Sequence, residues 1–567
     1  LSLTGTAVAN TTATSETPTT EMQVWTTSGG TTTTGTVYAV APTATRIYLG
    51  GDFNTAGVTS AGAVSVNRLV SVVKSTGQLD TAFTAAVPGP VRAVLPWTDG
   101  NGHSWVFAGG YTVDSSGNPT GGWLSKLDAA TGSLTGGFSL TLPSGSGNTT
   151  GQVNALATNG FTLFVGGNFL TINGTARKRL AALSLTNGSL TRFPAVDVDG
   201  PITSLVIGNG QLYMSGDVFT HVGGVERHEF ASIGLTNGAV SSWNPSPMAQ
   251  GLGIALSPDG AWAYLTTGNG ELSVCGGEHE AVIAVPAQYN GNPPRRWEQN
   301  APNCAYNTGD VNSVAATANT VFVGGHLWAL QGATQDRMHL AALDATTGQV
   351  LPFNPTLGGT RGVLALTVDT TSSPNSVLAG GDFGKVGNTF ASGFAQMPIL
   401  SPDPYAPATP AAPVLTSFYP GQVTVSWVGV PDQSDVRLTY DVYRDGTLIG
   451  SVVGDADPAA TFTYQDRGLP VGSTHSYTIA AYDTTTLTPQ GPASSISVGS
   501  RDLRAQYVPA VQRDAPTFYY PINDASGSTV ATDASGHKSN GSYTAAARLG
   551  GGTPIGDLGS SLNTDGI

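Results

Sequence analysis

Basic residues are scarce in this chain: 23 Lys+Arg against 37 Asp+Glu in 567 residues give a formal net charge of -14. Nucleic acids and anionic membrane surfaces are bound through clustered cations that release counterions. No such cluster occurs, so neither partner is expected. No run of 18 or more apolar residues is present, so insertion into a membrane as a helix is not expected either. Windows with a sustained 3.6-residue period are nearly absent, which argues against a helical protein. Cysteine is limited to Cys275 and Cys304. In a long, lysine-poor chain this pair fits one disulfide in an exported protein, which would restrict the unfolded ensemble by about 3–4 kcal/mol; two unrelated buried thiols are the alternative. The chain starts at Leu1 without a methionine, and Ala7-Val8-Ala9 has the look of a signal-cleavage site. Residues 1–21 read as a Thr-rich leader. A G-x-S-x-G elbow, a P-loop and a dinucleotide fingerprint are all missing.

Glycine (75) and proline (35) are abundant instead, and only 11% of residues are charged. This profile predicts many short strands joined by tight turns, an all-β protein of three or four domains. One motif recurs: Gly50-Gly51-Asp52-Phe53, Gly109-Gly110-Tyr111, Gly166-Gly167-Asn168-Phe169, Ser215-Gly216-Asp217-Val218, the degenerate Thr267-Gly268-Asn269, Gly324-Gly325-His326-Leu327 and Gly380-Gly381-Asp382-Phe383. Spacings of about 50–60 residues are those of a propeller blade or solenoid turn. Each copy has a strand such as "VNALAT", a second ending in the glycine pair ("TLFVGGNF"), a third ("RLAALSL"), and a glycine hairpin leading to an aromatic strand end ("TNGSLTRF"). Four antiparallel strands repeated seven times predict a seven-bladed β-propeller. The seventh unit has no aromatic fourth strand, whereas "TEMQVWTTS" at the other end has a strand without a unit. The reading therefore closes the ring with residues 22–27, with Trp25 in the aromatic position.

The units resemble a bacterial secreted β-propeller family with repeats of the form V-x-A-(V/L)-A … V-Y-V-G-G-x-F … L-A-A-L-D-x-x-T-G. Residues 153–193 and 311–355 carry this best, and it covers about 22–400. The resemblance implies an extracellular or cell-surface protein and is nearly silent about chemistry. Residues 401–413, "SPDPYAPATPAAP", form a Pro-rich linker. Residues 414–500 alternate cleanly, and Trp427, the "YDVYRDG" hairpin, Leu469 and Tyr477 resemble a fibronectin type III domain, which implies a β-sandwich spacer or adhesive module. After a linker over 501–514, residues 515–567 resemble the opening of a laminin-G/concanavalin-like jelly roll through Tyr519, Tyr520, Pro521, Asp533, Ser535 and Gly536. That domain is expected to continue past Ile567, and calcium is the one cofactor this resemblance brings in.

The residue after the glycine pair is Asp, Tyr, Asn, Asp, Asn, His and Asp in turn. Asn and Asp suit a strand exit after glycines, and a catalytic residue has no reason to recur in most blades. Departures from the motif are more informative. His326 replaces Asp, and Trp328 follows it, which makes these two the candidate ligand-binding residues. Five of the eight histidines, His221, His228, His279, His326 and His339, fall in units four to six. A transition metal needs three or four converging ligands, for which His279, His326 and His339 are the candidates. Trp97, Trp105 and the Arg295-Arg296-Trp297 stretch offer stacking surfaces, although Trp297 sits in a core strand position. For catalysis, propeller glycosidases place carboxylates near the channel; Asp52, Asp217, Glu226 and Asp382 are available without a unique placement. The function expected is non-catalytic extracellular recognition or adhesion, with a glycan or another surface protein as partner. A carbohydrate-active enzyme using the propeller, and a structural subunit of a surface layer, fibre or phage tail, are the alternatives.

Overall fold

The computed structural model describes residues 13–19, 22–144, 150–246, 250–268, 281–300, 310–327, 330, 338–400, 406–432, 437–483 and 488–499. Beyond these it describes 511, 516–517, 520, 530–533, 535–542, 547–551 and 561–564. Cys275, Cys304, His279, Trp328 and Tyr519 lie outside the described residues. Seven consecutive antiparallel sheets begin with the strands Thr36–Pro42, Val91–Thr98, Gln152–Thr158, Ile202–Gly208, Gln250–Leu256, Ser313–Ala316 and Val363–Asp369. Each of these first strands packs against the first strand of the next sheet, and the seventh packs against the first. The protein is all-β, and this closed ring is a seven-bladed propeller, with blades numbered 1 to 7 in chain order. Among the described residues no helix is long and apolar enough to cross a membrane.

The glycine pair has two separate jobs. A Cβ on the first glycine would collide with the next blade: Gly50 with Val91 at 2.5 Å, Gly166 with Ile202 at 2.7 Å, and Gly380 with Val37 at 2.6 Å across the ring closure. A Cβ on the second would strike a carbonyl at or just before the start of its own first strand: Gly51 meets Thr36 O at 2.0 Å, Gly110 meets Pro90 O at 1.9 Å, and Gly381 meets Gly362 O at 1.9 Å. That carbonyl is so close because the first strand is bulged at this point. Bulges give a local kink and re-aim a side chain. The aromatic that follows is buried, as in Phe53, Phe169, Phe219 and Phe383. In blade 4 the buried position is Phe219, not Val218; Val218 is an exposed extra residue at φ 46°.

Each blade but the last packs a second-strand aromatic on an aromatic at the end of the repeat. The pairs are Tyr48–Phe83, Phe107–Phe138, Phe164–Phe193, Tyr213–Trp243, Tyr264–Trp297 and Phe322–Phe353, with centroids 5.2 to 6.0 Å apart. The hairpins before them turn on Gly77, Gly132, Gly188, Gly238 and Gly348, all at positive φ as the x-[TN]-G pattern requires. The fourth strand is less regular than expected. In blades 3, 4 and 6 it shrinks to single bridges, Leu183↔Leu190, Ile233↔Val240 and Leu343↔Val350. Pro194, Pro245 and Pro352 follow closely in these blades, and proline cannot donate to a ladder.

Ring closure corrects the sequence reading. The partner of Phe394–Leu400 is Ala13–Thr14, in the register Ala13↔Leu400 and Thr14↔Ile399. Ser15 and Thr19 continue the contact through backbone N–H bonds to Pro398 O and Gln396 O. The segment expected to be a leader therefore supplies the outer strand of blade 7. Gln23–Ser28, which carries Trp25, instead pairs with Thr31–Thr34 and Thr55–Gly57 beside blade 1. No aromatic is needed in blade 7, because its second strand places Leu378 where the others have Tyr or Phe. A buried ion pair also holds blades 7 and 1 together: Lys74 Nζ lies 2.5 Å from Asp369 and donates to Thr43 O at 2.9 Å.

Residues 414–497 form a two-sheet β-sandwich, with three strands (Val414–Thr416, Gln422–Val428, Thr461–Arg467) facing four (Arg437–Arg444, Thr447–Asp455, Thr474–Tyr482, Ser494–Ser497). Trp427, Tyr440, Leu469 and Tyr477 fill its core. The Tyr477 hydroxyl donates to Asp466 at 2.6 Å, and Arg444 pairs with the same carboxylate. Further on, Asp533 accepts from Ser535 N, Ser535 Oγ and Ser539 N, each at 2.8 Å, and Gly536 follows at φ 93°. The D-x-S-G stretch is a self-bonded turn.

Candidate active site at the channel mouth

The bulges aim one residue per blade at the propeller axis. The register skips one residue between Val37 and Ala39, Val91 and Ala93, Val153 and Ala155, Ile202 and Ser204, Gly251 and Gly253, and Val363 and Ala365. The skipped residues, Tyr38, Arg92, Asn154, Thr203, Leu252 and Leu364, line a cavity of about 340 Å³ together with Asn312 of blade 6. Gln152, Asn168, Asp217 and Gln250 complete its polar side. Below it the channel narrows to Ala39, Ala93, Ala155, Ser204, Gly253, Ser313 and Ala365, the next position of each repeat. The mouth is lopsided, with an arc of Arg, Asn, Thr and Asp in blades 2 to 4 and leucines in blades 5 and 7. This x of V-x-A was not among the sequence candidates. Its variability (Tyr, Arg, Asn, Thr, Leu, Asn, Leu) inside a constant frame is the signal that could have found it.

A second pair of positions recurs beside the mouth. The residue after the glycine pair neighbours one that opens the third strand in the left-handed region: Arg68, Arg179, Glu229 and His339 at φ 57° to 67°, and Gly393 at 74°. The second glycine donates to the carbonyl of that residue in each case, as in Gly51 to Arg68, Gly216 to Glu229 and Gly325 to His339. The constant backbone carries variable chemistry. In blade 1 Asp52 meets Arg68 at 3.3 Å. In blade 6 the His326 and His339 rings stack with centroids 6.1 Å apart. In blade 7 Asp382 turns to accept N–H bonds from Thr360, Arg361 and Gly362.

In blade 4 the two positions hold carboxylates, Asp217 and Glu229. Asp217 is half-buried, lines the cavity and makes no side-chain hydrogen bond among the described residues. Glu229 is 8% exposed, and its Oε2 is buried without a hydrogen-bond partner among them. Burial raises the Glu229 carboxyl to about 7, against a small opposing pull from His228. Loss of hydration disfavours the charged carboxylate, so the acid holds its proton toward neutrality. Asp217 stands in the repeated motif and is legible in the sequence; Glu229 is set apart by its burial, which only the fold creates.

The structure brings His326 and His339 together. His339 is fully buried, with Nδ1 3.0 Å from Gly325 O, and burial lowers its pKa. Among the described residues no group of three His, Cys, Asp or Glu side chains converges as a metal would require. His221 pairs with Asp199, and His228 with Glu226, at the surface. Trp97 and Trp105 lie in strands, where they cage the buried ammonium of Lys126, which lies 4.2 Å from the Trp105 ring. Trp297 is core, donating Nε1–H to Ala345 O at 3.0 Å.

No family model matches the chain. Among curated proteins it is 37% identical over 93 residues to "Chitinase C" of Streptomyces lividans, covering 16% of this chain and 13% of that one. It is also 37% identical over 93 residues to "Chitinase 63" of Streptomyces plicatus, and 32% identical over 96 residues to a poly(3-hydroxybutyrate) depolymerase of Ralstonia pickettii. The chain therefore spans less than a fifth of the length of these relatives. Among solved structures it is similar to a Niastella koreensis GH74 enzyme at 13% identity and TM-score 0.35, covering 80% of this chain and 65% of that one. A β-1,2-glucanase from Parabacteroides distasonis gives TM-score 0.13 at 18% identity, covering 24% and 20%. Scores this low carry no weight for fold or function. The curated relatives are polymer-degrading enzymes, and this overturns the expectation of a non-catalytic recognition or adhesion protein.

Proposed function

We propose that the chain is a carbohydrate-active enzyme of extracellular polymer breakdown, with the propeller mouth as its substrate site. The observation that carries this is the blade 4 couple, one carboxylate facing the cavity and its neighbour buried and held protonated near neutrality. Environments that push two carboxyl groups apart in pKa are how an acid and its partner are set at one pH. We assign the couple the acid and nucleophile roles of a retaining glycosidase. Glu229 donates its proton to the glycosidic oxygen as the anomeric C–O bond breaks, and Asp217 attacks the anomeric carbon. Water then displaces the Asp217 ester, and its proton returns to Glu229.

The remaining modules fit this role. Residues 401–413 act as a linker, 414–500 as a fibronectin type III-like spacer, 501–514 as a second linker and 515–567 as a laminin-G-like glycan-binding segment. The curated matches, 93 to 96 residues long, are of the size of one such spacer. An extracellular setting accords with the low Lys+Arg content. The test is release of reducing ends by the full chain from a panel including chitin and β-glucans. Glu229→Gln and Asp217→Asn each lower the rate by about 10²–10⁴-fold. Inertness on every polymer, or full activity in both variants, sinks the assignment.

A further inference from the structure

We infer that the sugar held in the mouth is anionic, a uronate whose carboxylate is taken by Arg92; this rests on the mouth being the substrate site. Arg92 is the one cation among the described residues lining the cavity. Its guanidinium carbon lies 4.4 Å from the centre of the Tyr38 ring and 5.9 Å from that of Tyr111. Both rings lie within cation–π reach of it. Among the described residues it has no carboxylate partner and no hydrogen-bond acceptor, and its Nε is buried.

Three other basic side chains next to the repeat frame are used. Arg68 pairs with Asp52, Arg179 donates to Val198 O at 3.1 Å, and Lys74 pairs with Asp369. An arginine placed at the axis without a partner is costly to desolvate unless an anion meets it. The planar guanidinium fork suits a carboxylate through two parallel hydrogen bonds. Around it stand five carboxamides, Gln152, Asn154, Asn168, Gln250 and Asn312, whose mixed donors and acceptors suit ring hydroxyls. Two of them are oriented by the scaffold: Asn154 Nδ2 donates to Ile202 O at 2.9 Å, and Asn312 Nδ2 to Asp310 O at 3.5 Å.

The experiment is calorimetric titration of the full-length Glu229→Gln chain, which binds without turnover, with a short oligogalacturonate and with its carboxyl-reduced counterpart. The acidic form binds about ten- to a hundredfold more tightly. Arg92→Gln abolishes this preference, and Arg92→Lys, which keeps the charge and loses the fork, retains part of it. An unchanged melting temperature in both variants separates ligand loss from misfolding. Equal binding of the two oligosaccharides overturns the anionic assignment and leaves the mouth as a glycan site. Binding of neither overturns both.

Discussion

Blades 4 and 6 place different chemistry on the same backbone. In both, a glycine donates to a left-handed residue that opens the third strand, and the residue after the glycine neighbours it. Blade 4 puts Asp217 and Glu229 there; blade 6 puts His326 and His339. The sequence reading favoured blade 6, because histidine is rarer and departs from the motif. The structure gives blade 6 a buried neutral histidine bonded to a carbonyl, and blade 4 a partnerless acid beside a cavity. Rarity in sequence marks a departure from the repeat, but only the environment decides whether it is chemically poised.

The comparison can be broken by exchange. Converting blade 4 to the blade 6 pair, Asp217→His with Glu229→His, removes both the proton donor and the nucleophile. Polysaccharide hydrolysis falls by about 10²–10⁴-fold or more, while circular dichroism shows the propeller intact. Survival of activity in the exchanged protein would move the chemistry out of blade 4.

The two buried groups also give opposite pH dependences. Glu229 is raised from 4.5 to about 7 in the folded protein, so the native state binds more protons than the unfolded chain between those values. Its contribution is present in acid and is lost as pH rises from about 4.5 to 7, by roughly 3 kcal/mol. His339 is lowered from 6.5 by burial, with a further push from His326, so its contribution is present above the unfolded value and is lost as pH falls below it. Urea unfolding of the propeller across pH 4 to 8 checks this: Glu229→Gln removes the loss toward neutral pH, and His339→Gln removes the loss toward acid.

The smallest effect belongs to the residue that stood out first. His326→Ala leaves polysaccharide hydrolysis within about twofold of the parent, because general acid–base catalysis needs a group within reach of the bond it serves, and the proposed pair lies two blades away. A tenfold loss, measured on the same substrate as the exchange, would make blade 6 part of the machinery.

Much of the fold was legible. Most glycine pairs, hairpin glycines and terminal aromatics mark a recurrent packing requirement, so repetition alone gave seven blades. The closing strand was misplaced because "TEMQVWTTS" alternates like a strand and carries Trp25, whereas Ala13–Thr14 is too short and Thr-rich to show a period. Its pairing is set by the free edge of Phe394–Leu400, which is a property of the ring. The site was half legible. Asp217 lies in the motif and could be named, but Arg92 and Glu229 look like ordinary surface charges in sequence.

Sequence by itself determined the repeat, the all-β class and the places where glycine is obligatory, because local sterics act between residues whose spacing is written in the chain. Tertiary structure alone decided which side chains share the axis, which strand closes the ring and which carboxyl group keeps its proton. Those depend on desolvation and on contacts between blades far apart in sequence.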